Sequence, residues 1–508
     1  MNSAIDHISR LLNIHFGIKP KLIVLLPGYD NQNYKIICKN GQMCVAKLHI
    51  NPHLLPFLEA ECRLLDFLSA QMPGKFPEVI RTVSNAYYFR DDSKVVRLFS
   101  WLEGSFLAEK TITEKTAASL GTFLAEMNKT LMGYRDPVIK SRELSWDLQR
   151  FTELQNKMDV IPDPALKKLI HHFLLQYNME VLPRLPELRN SIIHNDANDN
   201  NILVRDEQVT GLIDFGDAVY GPVIQEVAVA MTYLMMDLEE PLEIAIPFLK
   251  SYHSSFHLED KEVDLLYFLV GARLSISLIH SFETILQGKA DEYTLISQQP
   301  AIDLLKKWIG ISPDKVSRFV RKALGMPVTE ITDYKAEIKK RNKFIGKILS
   351  VSYQTPIRMQ RAAFQYMFDA DGNTYLDAYN NIPHVGHQHP RVVEAAQRQM
   401  AKLNTNTRYL YDQLAAYAER LLAKFPKPLN KVFFVNSGSE ASDLAIRIAQ
   451  TVTGHKQIAV LEHGYHGNTR MGIDISHYKF AGKGGDGAKD FVTVLPIPDT
   501  YRGKYRTD

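Results

Sequence analysis

SIIHNDANDNNILVRDEQVTGLIDFGDA, residues 191–218, interrupts a long helical stretch with short apolar runs set between polar turns. Asn201 opens the run NILV, a polar turn follows, and the run VTGLI leads into Asp214-Phe215-Gly216. Two short apolar runs around a polar turn predict a hairpin. Such a hairpin brings Asn201 and Asp214 side by side, so one metal ion can touch both. His194-Asn195-Asp196 alone says little, because roughly one His-x-Asp arises by chance in a chain of this composition. Its setting gives it weight. Phosphoryl transfer needs one carboxylate to orient and deprotonate a hydroxyl, and an amide with a second carboxylate to hold Mg2+ against the phosphates. The alternative is a solvated turn rich in Asp and Asn.

Upstream, KLIVLL (21–26), NYKIICK (33–39), CVAKLHI (44–50) and KVVRLFSWL (94–102) read as strands, and FLEAECRLLDFLSA (57–70) as a helix. From Glu103-Gly104 to residue 325 the period is mostly helical. Lys47 sits on a strand between apolar neighbours, where a buried ammonium needs an anion. On the following helix Leu58, Cys62, Leu65 and Leu68 form the apolar face, and Glu61 lies on it. Glu59 falls with Arg63 on the polar side as an ordinary i,i+4 pair. The expectation is an ion pair between Glu61 and Lys47. The alternatives are Lys47 reaching solvent and Glu61 at a helix edge.

The 508 residues carry 60 Lys and Arg against 57 Asp and Glu, so the formal charge of +3 offers no reason to expect nucleic acid or an anionic membrane as partner. Apolar types at 45% and charged types at 23% place the chain among globular proteins. Cys38, Cys44 and Cys62, an odd set without a CxxC pair, suit a reducing cytoplasm. The N-terminus lacks the pattern of a signal peptide. The longest apolar tract, Val263 to Phe282, carries Arg273 at its centre and reads as a buried helix.

A second change of character falls at residues 326–344, polar and basic, read as a linker between a first domain (1–325) and a second (345–508). In the second, FQYMFDADGNTYLDAY reads as a hairpin turning at Asp371-Gly372. VFFV (432–435) and QIAVL (457–461) read as buried parallel strands, each leading through a glycine turn to a helix. The turn NSGSEA puts Ser437, Gly438 and Ser439 at a helix N-terminus, where free N–H groups could cradle a phosphate. Tyr465 could stack on a planar ring. Any α/β protein can own one such turn. His384, His387 and His389 have metal-like spacing, but VGHQHP reads as a backbone-shaping segment.

With Lys47, Glu61, LFSWLEG (98–104), LGTFLAEMN (120–128), HNDANDNNIL (194–203) and LIDFGDAVYGP (212–222) on the page, the first domain resembles the aminoglycoside phosphotransferase/choline kinase family. That resemblance implies an α+β bilobal, protein-kinase-like fold. It also implies Lys47 on the nucleotide phosphates with Glu61 supporting it, Asp196 as catalytic base, and Asn201 and Asp214 as ligands of Mg2+ with ATP or GTP. PGYDNQNYKI (27–36) and IDFGDAVYGP are most similar to hydroxylysine kinases. The phosphate-covering loop has only Gly28, and Asn195 and Asn128 stand where glycine and histidine are more usual.

DADGNTYLDAYNN (369–381), VGHQHP (385–390), NSGSEA (436–441), YHGNT (465–469) and PDTYRGKYR (498–506) resemble the N-terminal part of class III, pyridoxal phosphate-dependent aminotransferases of fold type I, especially phospho-lyases of ethanolamine phosphate and phosphohydroxylysine. The resemblance implies Gly438 and Ser439 on the cofactor phosphate, Tyr465 against the ring, and a homodimer through this half. In that family the Schiff-base lysine lies well downstream of the YHG stretch, and Lys479, Lys483, Lys489 and Lys504 come too early. An incomplete α/β segment is therefore expected, whether by natural truncation or as a piece of a longer protein.

The two halves fit one chemistry. A hydroxyl is a poor leaving group and phosphate a good one, so a kinase acting on an amino alcohol prepares a substrate for pyridoxal phosphate-dependent elimination. A small amino alcohol such as 5-hydroxylysine or ethanolamine is the expected acceptor, with Asp217 and Glu226 as candidate contacts for its ammonium or, alternatively, as structural carboxylates. Antibiotic or choline phosphorylation, an unrelated aminotransferase, and a non-catalytic nucleotide-sensing module remain the other readings.

Overall fold

The computed structural model describes residues 2–26, 32–49, 52–91, 94–288, 292–328, 333–346, 349, 351–380 and 384–505. The loop bearing Gly28 lies outside the described residues. Helix α1 (Asn2–Phe16) leads into β1 (Pro20–Leu26), β2 (Gln32–Cys38) and β3 (Met43–His49), and α2 (Leu55–Gln71) precedes β4 (Val79–Ile80), β5 (Phe89–Asp91) and β6 (Lys94–Ser100). These strands form one antiparallel sheet in the order β1-β2-β3-β6-β4, with β5 on β6. Side chains of a strand alternate between faces. On β3, Cys44, Ala46 and Leu48 turn toward Ile8, Leu12 and Phe16 of α1 and close a small core. Lys47 therefore lies on the opposite face, directly across from Arg97 of β6. The three cysteines are buried and free.

A helical lobe follows. β7 (Ser105–Phe106), α3 (Glu114–Leu131), α4 (Pro137–Lys140), a 3-10 stretch at Leu148–Val160 and α5 (Pro164–Gln176) come first. Next are β8 (Asn190–Ile193), β9 (Ile202–Arg205), β10 (Gln208–Leu212) and β11 (Val219–Pro222). β9 and β10 form the expected hairpin with β7 alongside, and β8 pairs with β11. Then come α6 (Val223–Leu234), α7 (Pro241–Ser255), α8 (Asp260–Val263), α9 (Leu266–Leu286), α10 (Glu292–Trp308) and α11 (Pro313–Leu324). A Cβ on Gly121 of α3 would lie 2.1 Å from the carbonyl oxygen of Phe248, so only glycine allows α3 and α7 to approach so closely. Helix α9 is long and apolar enough to cross a bilayer, but Leu266 to Ile276 are buried in the protein core, as the charge at Arg273 led one to expect.

Much of the linker is a solvent-exposed helix, α12 (Tyr334–Phe344), capped by the Asp333 carboxylate accepting from Lys335 N–H. Beyond it, β12 (Met359–Ala363), β13 (Tyr366–Asp369) and β14 (Thr374–Leu376) form an antiparallel meander, with Gly372 at φ +83° in the predicted turn. Helix α13 (Pro390–Lys402) follows. This segment packs on the helical lobe. Buried Phe364 lies against His172 (5.1 Å between centroids) and under Lys168 (4.5 Å), and Arg361 meets Glu180 at 3.0 Å. His171 and Glu394 are 2.7 Å apart. The chain accordingly divides into compact units between Lys402 and Leu403.

The second unit contains α14 (Asp412–Leu422), α15 (Gly438–Thr453), β15 (Ile458–Leu461), α16 (Arg470–Asp474), α17 (His477–Phe480) and β16 (Val492–Leu495). β15 pairs with β16 in parallel, over a small core of Val460, Ile475 and Phe480. VFFV (432–435) departs from expectation. It forms no strand and exposes Phe433 and Phe434, because among the described residues no strand pairs with it to complete a ladder.

Candidate active site

The sheet and the helical lobe meet at Lys47. Its Nζ lies 2.9 Å from Oδ1 of Asp214, a carboxylate that keeps 52% of its side-chain exposure. Burial alone would lower the Lys47 pKa, but Asp214 and Glu61 overcome it and hold the ammonium above its ordinary value. Reciprocally, Lys47 pulls the Asp214 carboxyl down to about 2 against the opposing effect of burial. The expected Lys47–Glu61 pair is not formed. Glu61 instead meets Arg97 Nη1 at 2.8 Å, both side chains being almost fully buried, and Arg97 also donates to the Leu58 carbonyl and approaches His49 Nε2 at 2.9 Å. The reason is register: Arg97 stands opposite Lys47 on the same face, and its longer fork reaches α2 while Lys47 turns to the helical lobe.

The β9–β10 hairpin brings the other groups together. Ile213 N–H donates to the Asn201 carbonyl at 2.9 Å, which sets Asn201 beside Asp214. Asn201 Nδ2 donates to both the main-chain oxygen and Oδ2 of Asp196, at 2.9 and 3.0 Å, and Asn198 Nδ2 adds a bond to Oδ2 at 3.0 Å. On the other side, Arg273 Nη2 reaches Asp196 Oδ1 at 2.6 Å. The carboxylate is thus fixed at both oxygens, yet keeps 21% exposure. Asp214 adopts a left-handed backbone (φ 64°, ψ 70°) that points its carboxylate out of the strand.

His194 ties these pieces to the scaffold. Its Nδ1 accepts from Asp196 N–H at 3.2 Å, so Nε2 is the protonated nitrogen and donates to the Ile213 carbonyl at 2.9 Å. Glu226 lies beneath the loop, fully buried, its Oε2 accepting from the N–H groups of His194 (2.5 Å) and Asn195 (3.3 Å). Burial raises its pKa, and these contacts oppose the rise. This is the geometry of a loop support. Asn195 has φ 68°, a left-handed conformation that asparagine tolerates and that accounts for glycine being usual there. Asn128, buried, donates to Tyr252 Oη at 2.9 Å. Asp217 faces the same carboxylates: burial first, then Asp196 and Asp214, push it up to about 7.

Four sequence-predicted residues, Lys47, Asp196, Asn201 and Asp214, are therefore brought together, with Asp217 beside them. Arg97 and Arg273 were missed as members of the site. The available signal was the same for both: a lone cation in an apolar run must be buried against an anion. Among the described residues no three His, Cys, Asp or Glu side chains are placed to hold a metal by themselves. An amide oxygen and one exposed carboxylate, hard oxygen donors, fit Mg2+ that shares the rest of its shell with phosphates and water.

In the second unit, Ser437 caps α15, its Oγ accepting from Glu440 N–H at 3.2 Å. Gly438 has open space where a Cβ would be. Ser439 Oγ accepts from Asn468 N–H at 2.9 Å, and Gly467, at φ +123°, sits so close that a Cβ would be 2.8 Å from Ser439 Cα. The YHGNT stretch thus lies against the start of α15, with Tyr465 half-exposed beside Tyr478. A helix N-terminus with open space at Gly438, where the Ser437 cap takes the N–H of Glu440, fits a phosphate on the N–H groups of Gly438 and Ser439.

Residues 21–256 match the phosphotransferase enzyme family, and residues 348–508 match aminotransferase class III. A hydroxylysine kinase of Danio rerio is 25% identical over 321 residues, 60% of this chain and 90% of that protein. An alanine–glyoxylate aminotransferase 2-like protein of Drosophila melanogaster is 44% identical over 188 residues, and an ethanolamine-phosphate phospho-lyase homolog of Caenorhabditis elegans 44% over 174. These matches cover 37% and 34% of this chain, but only 38% and 37% of the relatives' own length. Residues 21–256 are therefore similar to phosphotransferases and residues 348–508 to class III aminotransferases, joined in one polypeptide.

Proposed function

We propose that the phosphotransferase half transfers the γ-phosphoryl of ATP or GTP to the hydroxyl of a small amino alcohol of the 5-hydroxylysine or ethanolamine type. The class III half belongs to the site that then eliminates the phosphate. The observation that carries the reading is the convergence of Lys47, Asp196, Asn201 and Asp214 where the sheet meets the helical lobe. Lys47 would bind the nucleotide phosphates, and Asn201 and Asp214 would hold Mg2+, which would neutralise charge on the transferring group. Asp196 accepts the hydroxyl proton as the acceptor oxygen bonds to phosphorus and the bond to the nucleoside diphosphate breaks. Its three hydrogen bonds orient it for this, which matters more than base strength in a loose transition state.

Asp217 stands beside Asp196, in reach of an acceptor's ammonium. Support for an amino alcohol comes from both halves, through similarity to a hydroxylysine kinase and to a phospho-lyase homolog. In the second half Ser437, Gly438 and Ser439 would hold the phosphate of pyridoxal phosphate and Tyr465 its ring, in a homodimer through this half. The cofactor supplies an electron sink for loss of phosphate. The test is phosphorylation of an amino alcohol panel by the purified protein with Mg2+ and ATP or GTP, read by mass spectrometry. Asp196→Ala should abolish turnover and keep nucleotide binding. If no member of the panel is phosphorylated, the reading fails.

A further inference from the structure

Arg273 is 1% exposed in the middle of the long apolar helix α9, an expensive place for a cation. Its Nη2 is shared between Asp196 Oδ1 at 2.6 Å and Tyr233 Oη at 2.9 Å. The guanidinium carbon lies 5.2 Å from the Trp146 ring and 5.3 Å from that of Tyr233, so aromatic rings hold its plane. Its Nε and Nη1 are buried with no hydrogen-bond partner among the described residues. A cation retained for stability would be expected to satisfy its donors, and buried ion pairs are commonly replaced by apolar side chains at no loss of stability. Only one of its contacts reaches the reaction centre, and that contact is with the acid that must receive a proton.

We infer that Arg273 is a positioning residue for phosphoryl transfer. It clamps Asp196 Oδ1 from the helical core, while Asn198 and Asn201 clamp Oδ2 from the loop. Together they leave the carboxylate one orientation toward the acceptor hydroxyl. Tyr233 and Trp146 are the brace behind the clamp. The inference rests on the phosphotransferase reading of the site, and misplacement of a reacting group by about 1 Å can cost on the order of a hundredfold in rate.

The test compares the full chain with its Arg273→Met and Arg273→Lys variants, read both by acceptor phosphorylation and by nucleotide hydrolysis to water. Arg273→Met should lower kcat at least tenfold while the nucleotide KM stays within twofold, and its fall in melting temperature should be smaller than that of Glu61→Gln, because the carboxylate left behind is 21% exposed and keeps Asn198 and Asn201. Arg273→Lys keeps the charge without the planar fork and should recover part of the rate. Should Arg273→Met fail to fold, Tyr233→Phe removes the brace alone and should lower kcat severalfold at unchanged KM. Parent-like kcat in Arg273→Met, or in Tyr233→Phe where that variant stands in, overturns the inference. So does a rate loss that tracks a fall in melting temperature and is not restored by lysine. If the parent phosphorylates no amino alcohol but hydrolyses nucleotide, the substrate proposal falls and the hydrolysis rates still decide the role of Arg273.

Discussion

Replacing Glu61 by glutamine removes the carboxylate that faces a guanidinium only 1% exposed. Removing one partner of such a buried pair costs about 3–5 kcal/mol. Glutamine keeps the shape and an acceptor oxygen, and Arg97 keeps the Leu58 carbonyl and the His49 ring, so the low end, about 3 kcal/mol, is expected. For a unit of 402 residues that corresponds to a melting-point drop of roughly 3–4 °C. A double-mutant cycle then separates the two possible partners. Glu61→Gln with Arg97→Met should show coupling of about 2 kcal/mol, whereas Glu61→Gln with Lys47→Met should show less than about 1, because the Lys47 ammonium bonds Asp214 instead. The assay is calorimetry or urea unfolding of the full chain near pH 7, at low and high salt. The first coupling should survive salt, since the pair is buried. Coupling of Glu61 to Lys47 that exceeds its coupling to Arg97 would refute the reasoning.

Gly121→Ala forces a methyl against the Phe248 backbone, and unfolding should show a loss of about 3 kcal/mol or more. Phe364→Ala empties a buried site between the meander and the helical lobe, and urea unfolding of the 1–402 unit should register about 3–5 kcal/mol. Burial holds His172 down to about 4, below the 6.5 of the unfolded chain, so the unfolded state gains a proton first on acidification. Stability should therefore fall as pH drops from 6.5 toward 4, by about 3 kcal/mol from this residue, and His172→Gln should flatten the melting curve against pH over that window. His49, held down to about 3 by burial and then by Arg97, adds a loss of the same sign that persists in the variant.

Local pattern made much of this protein legible. Alternation placed Lys47 on a strand between apolar neighbours, and two short runs around a turn placed Asn201 beside Asp214, because both relations span few residues and follow from strand and hairpin geometry. The Asp371-Gly372 turn and the buried helix around Arg273 were readable for the same reason. Relations across long stretches of chain were not. Sequence can require that Glu61, Lys47, Arg97 and Arg273 each find an opposite charge, but pairing is a matter of distance between elements far apart in the chain. Strand register set Arg97 across from Lys47 and gave it Glu61, leaving Lys47 to Asp214. Helix packing brought Arg273 to Asp196 across 77 positions, and the loop over Glu226 turned that carboxylate into a support. The residue types at the candidate site were thus determined by the sequence itself, whereas the partner of each charge was decided only when the sheet closed on the helical lobe.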